Sequence, residues 1–147
     1  MTLFIMISCS HNKNIDKLVM DVEANCVKNE DCIVDFSKEI DGDWDTMYFF
    51  SGANSLEDIN MVLGFELKDF TDIGDRILFL KGNKIIYQKE WSFNNENNLK
   101  GIIFVPETNF FKYDKENCKF KILKNNEVYY LTKITPSCAK SPTLRKK

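Results

Sequence analysis

Two short turns in the second half of the sequence constrain the fold more than any other feature. Gly82 and Asn83 separate one pair of apolar runs, and Asn125 and Asn126 separate another. Gly and Asn tolerate the backbone of a tight β-turn, so apolar runs flanking such a pair are typical of a β-hairpin. We therefore predict two hairpins. Their four strands are 76–81, 84–91, 118–123 and 127–134.

Other apolar segments predict two helices and three further strands. Apolar residues recur at helical spacing from Asn14 to Asn25 and from Leu56 to Leu63. Ser55 and Asp58 have the spacing of a helix N-terminal cap, and Gly64 stands where a C-terminal cap would stand. The remaining strands are 32–36, 43–50 and 102–105. This order predicts an α+β fold, an antiparallel sheet built largely from hairpins with about two short helices on one face.

The chain is predicted to hold one folded domain. Its 147 residues fit a single domain, and 44% hydrophobic residues with 12 Phe, 6 Gly and 3 Pro are typical of a globular core. Composition therefore excludes Pro-rich and Gly-rich low-complexity chains. We divide the chain into a signal-peptide-like segment, a polar tether, an α+β domain and a basic tail, at 1–8, 9–14, 15–135 and 136–147.

The N-terminus resembles the end of a bacterial lipoprotein signal peptide. Met1–Ser8 is a short apolar run that ends in a small residue directly before Cys9. In lipoproteins the preceding segment is removed and this cysteine becomes the lipidated N-terminus. No Lys or Arg precedes the run, and Met6 replaces the commoner Leu, so an upstream translation start would complete the signal. The alternative is a buried strand at Leu3–Ile7 with Cys9 as a core thiol.

The other four cysteines, Cys26, Cys32, Cys118 and Cys138, are disulfide candidates. An even number of cysteines is expected in an oxidising compartment. Cys26–Cys32 would close a short loop and Cys118–Cys138 a longer one, although four cysteines allow three connectivities. The alternative is reduced, buried thiols in a cytosolic protein. A zinc site is not predicted, because the sequence has no C-x2-C pair and no histidine near these cysteines.

Four short aromatic and aliphatic motifs lie between residues 43 and 123. They are Asp43-Trp44-Asp45-x-x-Tyr48-x-Phe50, Ile59-x-x-x-Leu63-Gly64-Phe65, Ile77-Leu78-Phe79 with Lys84-Ile85-Ile86, and Asp114-x-Glu116-Asn117-x-x-Phe120-x-Ile122. Together they resemble a group of small uncharacterised bacterial envelope lipoproteins. The resemblance implies an envelope location and carries no activity.

Charge is unevenly distributed along the chain. Residues 39–75 hold ten acidic residues against Lys68 alone, whereas the basic tail holds four basic residues and no acid. An acidic surface speeds encounter with a basic partner. We therefore predict a binding face for a basic protein, with solvated loops as the alternative. The residues of this face are Asp41, Asp43, Asp45, Asp58, Asp69, Asp72 and Asp75.

The sequence predicts no cofactor, metal site or nucleic-acid binding. His11 is the only histidine and lies outside the predicted domain, so a Ser-His or Cys-His pair cannot form there. Nucleotide-binding glycine motifs are absent, and a net charge of −2 gives no overall basic field. Asp41, Asp43 and Asp45 open like a calcium loop, but Thr46 replaces its turn glycine.

These features predict a non-enzymatic, lipid-anchored protein of the bacterial cell envelope with its domain in the periplasm. Its expected role is protein binding, as in an immunity or inhibitor protein, and the lipid is its only membrane attachment. The alternatives are a structural or assembly lipoprotein of the envelope, an uncharacterised cytosolic α+β domain, and a carboxylate-dependent hydrolase, since acidic residues are abundant.

Mass spectrometry of the native protein from the membrane fraction tests the location. With and without reductant, we expect a chain that begins at an acylated Cys9 and carries four further oxidised cysteines. A full-length soluble chain with five free thiols would contradict both predictions and return Met1–Ser8 to the fold.

Overall fold

A computed structural model describes residues 14–72, 74–92 and 101–134. The described residues contain three α-helices, which are α1 Ile15–Ala24, α2 Phe36–Glu39 and α3 Leu56–Leu63. They also contain eight strands, which are β1 Ile33–Asp35, β2 Thr46–Phe50, β3 Gly74–Lys81, β4 Lys84–Ser92, β5 Gly101–Val105, β6 Phe110–Asp114, β7 Lys119–Asn125 and β8 Val128–Lys133. A short 3₁₀ turn, Lys115–Asn117, joins β6 to β7.

The strands form two four-stranded sheets. Sheet A has the order β1-β7-β8-β5 and sheet B the order β4-β3-β2-β6. All neighbouring strands are antiparallel except β5 and β8, which are parallel. The predicted α+β class is confirmed. The strands form two sheets, whereas one sheet was predicted. The reason is that β6 pairs with β2, which is distant in sequence, and so belongs to a different sheet from β7, the next strand along the chain.

Both predicted hairpins are confirmed. Lys81 pairs with Lys84 and Asn125 pairs with Val128, which leaves a two-residue turn between the strands in each case. Gly82 has φ of 56° and Asn126 has φ of 55°, so each turn uses a residue that tolerates the left-handed region.

Both predicted helices are confirmed, and their ends follow the local signals. The Asn14 side chain accepts the amide of Asp16 at the start of α1. Ser55 and Asp58 form a reciprocal capping box at the start of α3, and Gly64 ends that helix with φ of 78°. Helix α2 was not predicted, since one turn of four residues leaves too short a periodic pattern to detect.

The main hydrophobic core lies between the two sheets. Phe104 is central, because its ring centroid lies 5.2 Å from Phe49 on sheet B and 5.5 Å from Phe120 on sheet A. Helix α1 closes the core beside β4, where Trp91 Nε1 donates a 2.8 Å hydrogen bond to Asp16. The buried members are Ile15, Val19, Cys32, Val34, Phe36, Ile40, Trp44, Met47, Phe49, Ile77, Phe79, Ile102, Phe104, Cys118, Phe120, Ile122 and Leu131.

A second core lies between α3 and the opposite face of sheet B. Side chains of a strand alternate between faces, so every second residue of β2 and β3 points away from sheet A. These residues meet the apolar side of α3. Its buried members are Tyr48, Phe50, Ile59, Leu63, Leu67, Leu78 and Leu80. Strands β2 and β3 are thus buried on both faces.

A buried arginine stabilises the connection between α3 and β3. The Arg76 side chain is 1% exposed, and its guanidinium lies 4.2 Å from the centroid of the Phe70 ring. Its Nη2 donates to the carbonyl of Thr71 at 2.7 Å, and its Nε lies 3.8 Å from Glu90. Glu90 also accepts a hydrogen bond from the Thr71 hydroxyl. The cation therefore joins this connection to β4.

Glu90→Gln tests the buried ion pair. The substitution removes the carboxylate that is ion-paired with the buried guanidinium, and we expect a loss of about 2 kcal/mol in the free energy of unfolding. In an Arg76→Met background the same substitution should be neutral or stabilising. Urea denaturation of the four proteins of this cycle measures both values. Equal losses in the two backgrounds would contradict a role for the pair.

Candidate functional site

The cysteines lie in three different settings. Cys26 and Cys32 form a disulfide with a Cα–Cα distance of 5.6 Å, which closes the loop between α1 and β1 and confirms that disulfide candidate pair. Cys118 is buried and has no disulfide partner within the described residues, and its Sγ donates to the carbonyl of Asp114. Burial raises the pKa of the Cys118 thiol to about 12. Cys9 and Cys138 lie outside the described residues, as do the signal-like segment and the basic tail, so lipidation and a Cys118–Cys138 bridge stay predictions.

The predicted acidic face is divided between two ends of sheet B. Asp43 and Asp45 precede β2, at the end where β3 finishes, and Lys81 lies 3.2 Å and 3.9 Å from them. Asp75 is at the opposite end, where β3 begins. The five residues of β2 separate the two ends by roughly 17 Å, at about 3.4 Å per residue. Asp41 is exposed and precedes this first group in the sequence.

Several of these carboxylates have local structural partners. Asp58 is held in the capping box, and hydrogen bonds from Ser55 lower its pKa. Asp75 accepts the amide of Gly52 at 2.9 Å, although burial raises its pKa. Asp69 and Asp72 lie in the connection from α3 to β3. A basic partner for the whole set therefore stays a prediction, and it would have to span both ends of the sheet.

A cleft lies between the two sheets at the β6 edge. Its volume is about 670 Å³. β6 forms one wall, the segment 105–108 closes one end, and the last residues of β8 form the other wall. Residues 111, 113, 120 and 131 contribute apolar surface, and the polar lining residues are Glu107, Thr108, Lys112, Asp114, Asn117, Thr132 and Lys133.

The floor of the cleft is largely aromatic. The rings of Phe111 and Tyr113 stack with centroids 4.6 Å apart, and the Phe120 ring lies 6.1 Å from Phe111 and 6.2 Å from Tyr113. Phe111 and Tyr113 point inward because their partners on β2, Phe49 and Met47, face the main core. The floor is therefore an extension of that core that is left partly open.

Lys133 places a positive charge against the aromatic floor of this cleft. It is partly buried, and its Nζ lies 4.1 Å from the centroid of the Tyr113 ring and 5.6 Å from that of Phe120. Burial lowers the pKa of the Lys133 ammonium, while the nearby Cys118 and Asp35 side chains oppose this effect. Burial also raises the pKa of Tyr113. The arrangement is a cation on an aromatic surface, partly removed from water.

Sequence reasoning did not single out this site. β6 was not predicted, because Phe110–Asp114 has no turn that joins it to a neighbouring strand, and its partner β2 is distant in sequence. In the sequence, the segment 110–113 was notable only because its aromatic residues lie next to lysines. Lys133 lies at the end of a predicted strand, where a lysine has no distinctive pattern. The inward side of β8 is nevertheless predictable, since Tyr129 and Leu131 precede Lys133 at a spacing of two.

Comparison of the chain with protein-family models, curated proteins and solved structures finds no match. Within the described residues, no group of His, Cys, Asp and Glu side chains is arranged to hold a metal ion. None of the helices in this part of the chain is long and apolar enough to cross a bilayer.

The partly desolvated ammonium gives a pH-dependent stability that Lys133→Met should remove. The folded chain binds this proton less tightly than the unfolded chain, whose lysine pKa is about 10.4. Wild-type stability relative to Lys133→Met should therefore rise with pH up to that value and then level off. Urea denaturation of both proteins between pH 7 and 11 measures the difference. A difference that falls with pH would show that the folded state favours the charged form.

Proposed function

We propose that this protein is a binding module of the bacterial cell envelope and that its ligand occupies the cleft between β6 and β8. Ligand sites are usually concave, lined by apolar and aromatic groups, and marked by a few polar groups that orient the ligand. The cleft has this composition, and its volume of about 670 Å³ is in the usual range for such sites.

The position of Lys133 carries this proposal and indicates the ligand. Its ammonium has lost part of its hydration and lies over the rings of Tyr113 and Phe120, with the Asp35 and Cys118 side chains nearby. An anion would gain charge-assisted hydrogen bonds from this ammonium. The aromatic floor would at the same time pack against an apolar part of the same ligand, because the Phe111 ring stacks beside the Tyr113 ring. The chemistry favours a carboxylate attached to an apolar group.

The Cys26–Cys32 bond supports the envelope location. Disulfides persist in oxidising compartments and are rare in the bacterial cytosol. Removal of the lipoprotein-like segment Met1–Ser8 and lipidation of Cys9 would tether the domain to the membrane. In this arrangement the polar tether 9–14 leads directly into α1, on the β4 side of the main core, while the cleft lies on the β6 side.

Titration of the ¹⁵N-labelled protein with 3-phenylpropionate tests the proposed site. We expect saturable shift changes at amides of β6 and β8, and a dissociation constant at least about fivefold higher in Lys133→Met, the equivalent of losing about 1 kcal/mol. Lys81→Met is the matched control, since Lys81 is an exposed lysine that is paired with Asp43 and does not line the cleft.

The probe 3-phenylpropylamine provides the opposite charge on the same apolar body. It should bind more weakly than the carboxylate to the wild-type protein. Equal binding of the two probes, or equal affinities in wild type and Lys133→Met, would contradict the role assigned to Lys133.

A further inference from the structure

Strand β6 is an edge of sheet B that lies along the cleft. In the described residues its partner is β2, and the other side of the strand faces the cleft. A strand edge of this kind offers unpaired N–H and C=O groups to an added strand. The opposite edge strand, β4, is instead next to α1 through the bond between Trp91 and Asp16.

The hydrogen bonds to β2 show which main-chain groups of β6 point towards the cleft. At one end of the strand, the carbonyl of Asn109 accepts the amide of Ser51 at 2.8 Å. At the other end, the amide of Lys115 donates to the carbonyl of Asp45 at 2.8 Å. Alternate residues of an antiparallel strand bond to opposite sides. The odd-numbered residues therefore bond to β2, and the even-numbered residues point to the open side.

Side-chain contacts agree with this direction and single out the middle residue. On the open side, the Phe110 carbonyl accepts a hydrogen bond from the Thr108 hydroxyl. The Asp114 carbonyl accepts one from Cys118 Sγ, which belongs to the sheet A side of the cleft. Lys112 lies between these two residues, so its N–H and C=O both point to the open side.

Lys112 reaches the cleft through its main chain. Its Nζ lies 5.7 Å from the centroid of the Tyr48 ring, on the face of sheet B that packs against α3. Lys112 is nevertheless one of the residues that line the cleft. The wall of the cleft at this point is therefore backbone, with one donor and one acceptor.

We propose that the ligand in the cleft is an extended acidic peptide segment of a partner protein, which adds to β6 as a fifth strand of sheet B. This inference rests on the proposed function and names its ligand. Addition of a strand at a sheet edge obtains affinity from main-chain hydrogen bonds and specificity from pockets for alternate side chains. Lys112 supplies the central pair of bonds, and the cleft supplies the pocket.

The register on β6 fixes which peptide side chains enter the cleft. Residues directly opposite each other in an antiparallel pair point to the same face. A peptide residue opposite Tyr113 therefore points towards Lys133, and one opposite Phe111 points towards the apolar floor. Because the added strand runs antiparallel to β6, the recognised pattern is an acidic residue followed two positions later by an apolar residue.

The chain's own basic tail is a poor occupant. Residues 135–147 come one residue after the end of β8, but they contain no Asp or Glu and carry four basic residues. They also contain Pro136 and Pro142, which cannot donate main-chain hydrogen bonds. An acidic segment from another protein suits Lys133 better on grounds of charge.

The probe is the pentapeptide acetyl-Thr-Glu-Thr-Leu-Thr-amide, titrated into the ¹⁵N-labelled full chain. Its Glu would lie opposite Tyr113, its central Thr opposite Lys112 and its Leu opposite Phe111. We expect saturable shift changes at the amides of β6. N-methylation of the central Thr removes one main-chain bond and should raise the dissociation constant about fivefold to tenfold. Replacing the Glu by Gln should weaken binding to a similar extent.

The matched protein variants are Lys112→Pro and Lys112→Thr. Proline is tolerated in an edge strand where the amide faces solvent, so Lys112→Pro should fold while losing the donor. It should weaken the peptide about fivefold to tenfold, whereas Lys112→Thr should bind within about twofold of wild type. Circular dichroism melting curves check that both variants fold, and the N-methylated peptide gives the same test on the unaltered protein.

The outcomes separate this inference from the proposed function. If N-methylation and Lys112→Pro leave peptide affinity unchanged while Lys133→Met lowers it, the cleft binds carboxylates without strand addition and only the inference is overturned. If neither the peptide nor 3-phenylpropionate binds, both are contradicted. If binding appears only after residues 135–147 are deleted, the tail occupies the cleft and the inference is overturned.

Discussion

The burial of β2 and β3 on both faces is the constraint on which the rest of the structure depends. Met47 and Phe49 face sheet A, whereas Tyr48 and Phe50 face α3. A strand with apolar side chains on both sides needs cover on both sides. Sheet A, α1 and α3 are therefore required by these central strands, and the buried Arg76 lies within the cover on the α3 side.

The same packing explains why a cleft remains at one side of the main core. Beside β4, α1 fills the space between the sheets and is fixed by Asp16. Beside β6, no helix of the described residues has this position, and the aromatic rings of Phe111 and Tyr113 stay partly exposed. The Lys133 ammonium lies over the Tyr113 ring. The main core is therefore closed beside β4 and left partly open beside β6.

Local patterns located the elements whose ends are set by neighbouring residues. Helix α3 spans the predicted residues because its capping box and Gly64 act within one helix. The hairpin turns are equally local, since each is a two-residue connection. Strand β6 was missed because its pairing with β2 joins residues as distant in sequence as Phe50 and Phe110. The acidic residues show the converse, because Asp45 and Asp75 were predicted on one face but lie at opposite ends of sheet B.

The sequence by itself determined the α+β class, two helices, two hairpins and the segments rich in core residues, because caps, turns and periodicity act over a few residues. It also placed Cys26 and Cys32 close enough along the chain to form a bridge. Only the tertiary structure decided that the strands divide into two sheets and that Lys133 meets Tyr113 in a cleft. Those contacts join distant segments, and their stability depends on how complete faces pack together, which no short pattern encodes.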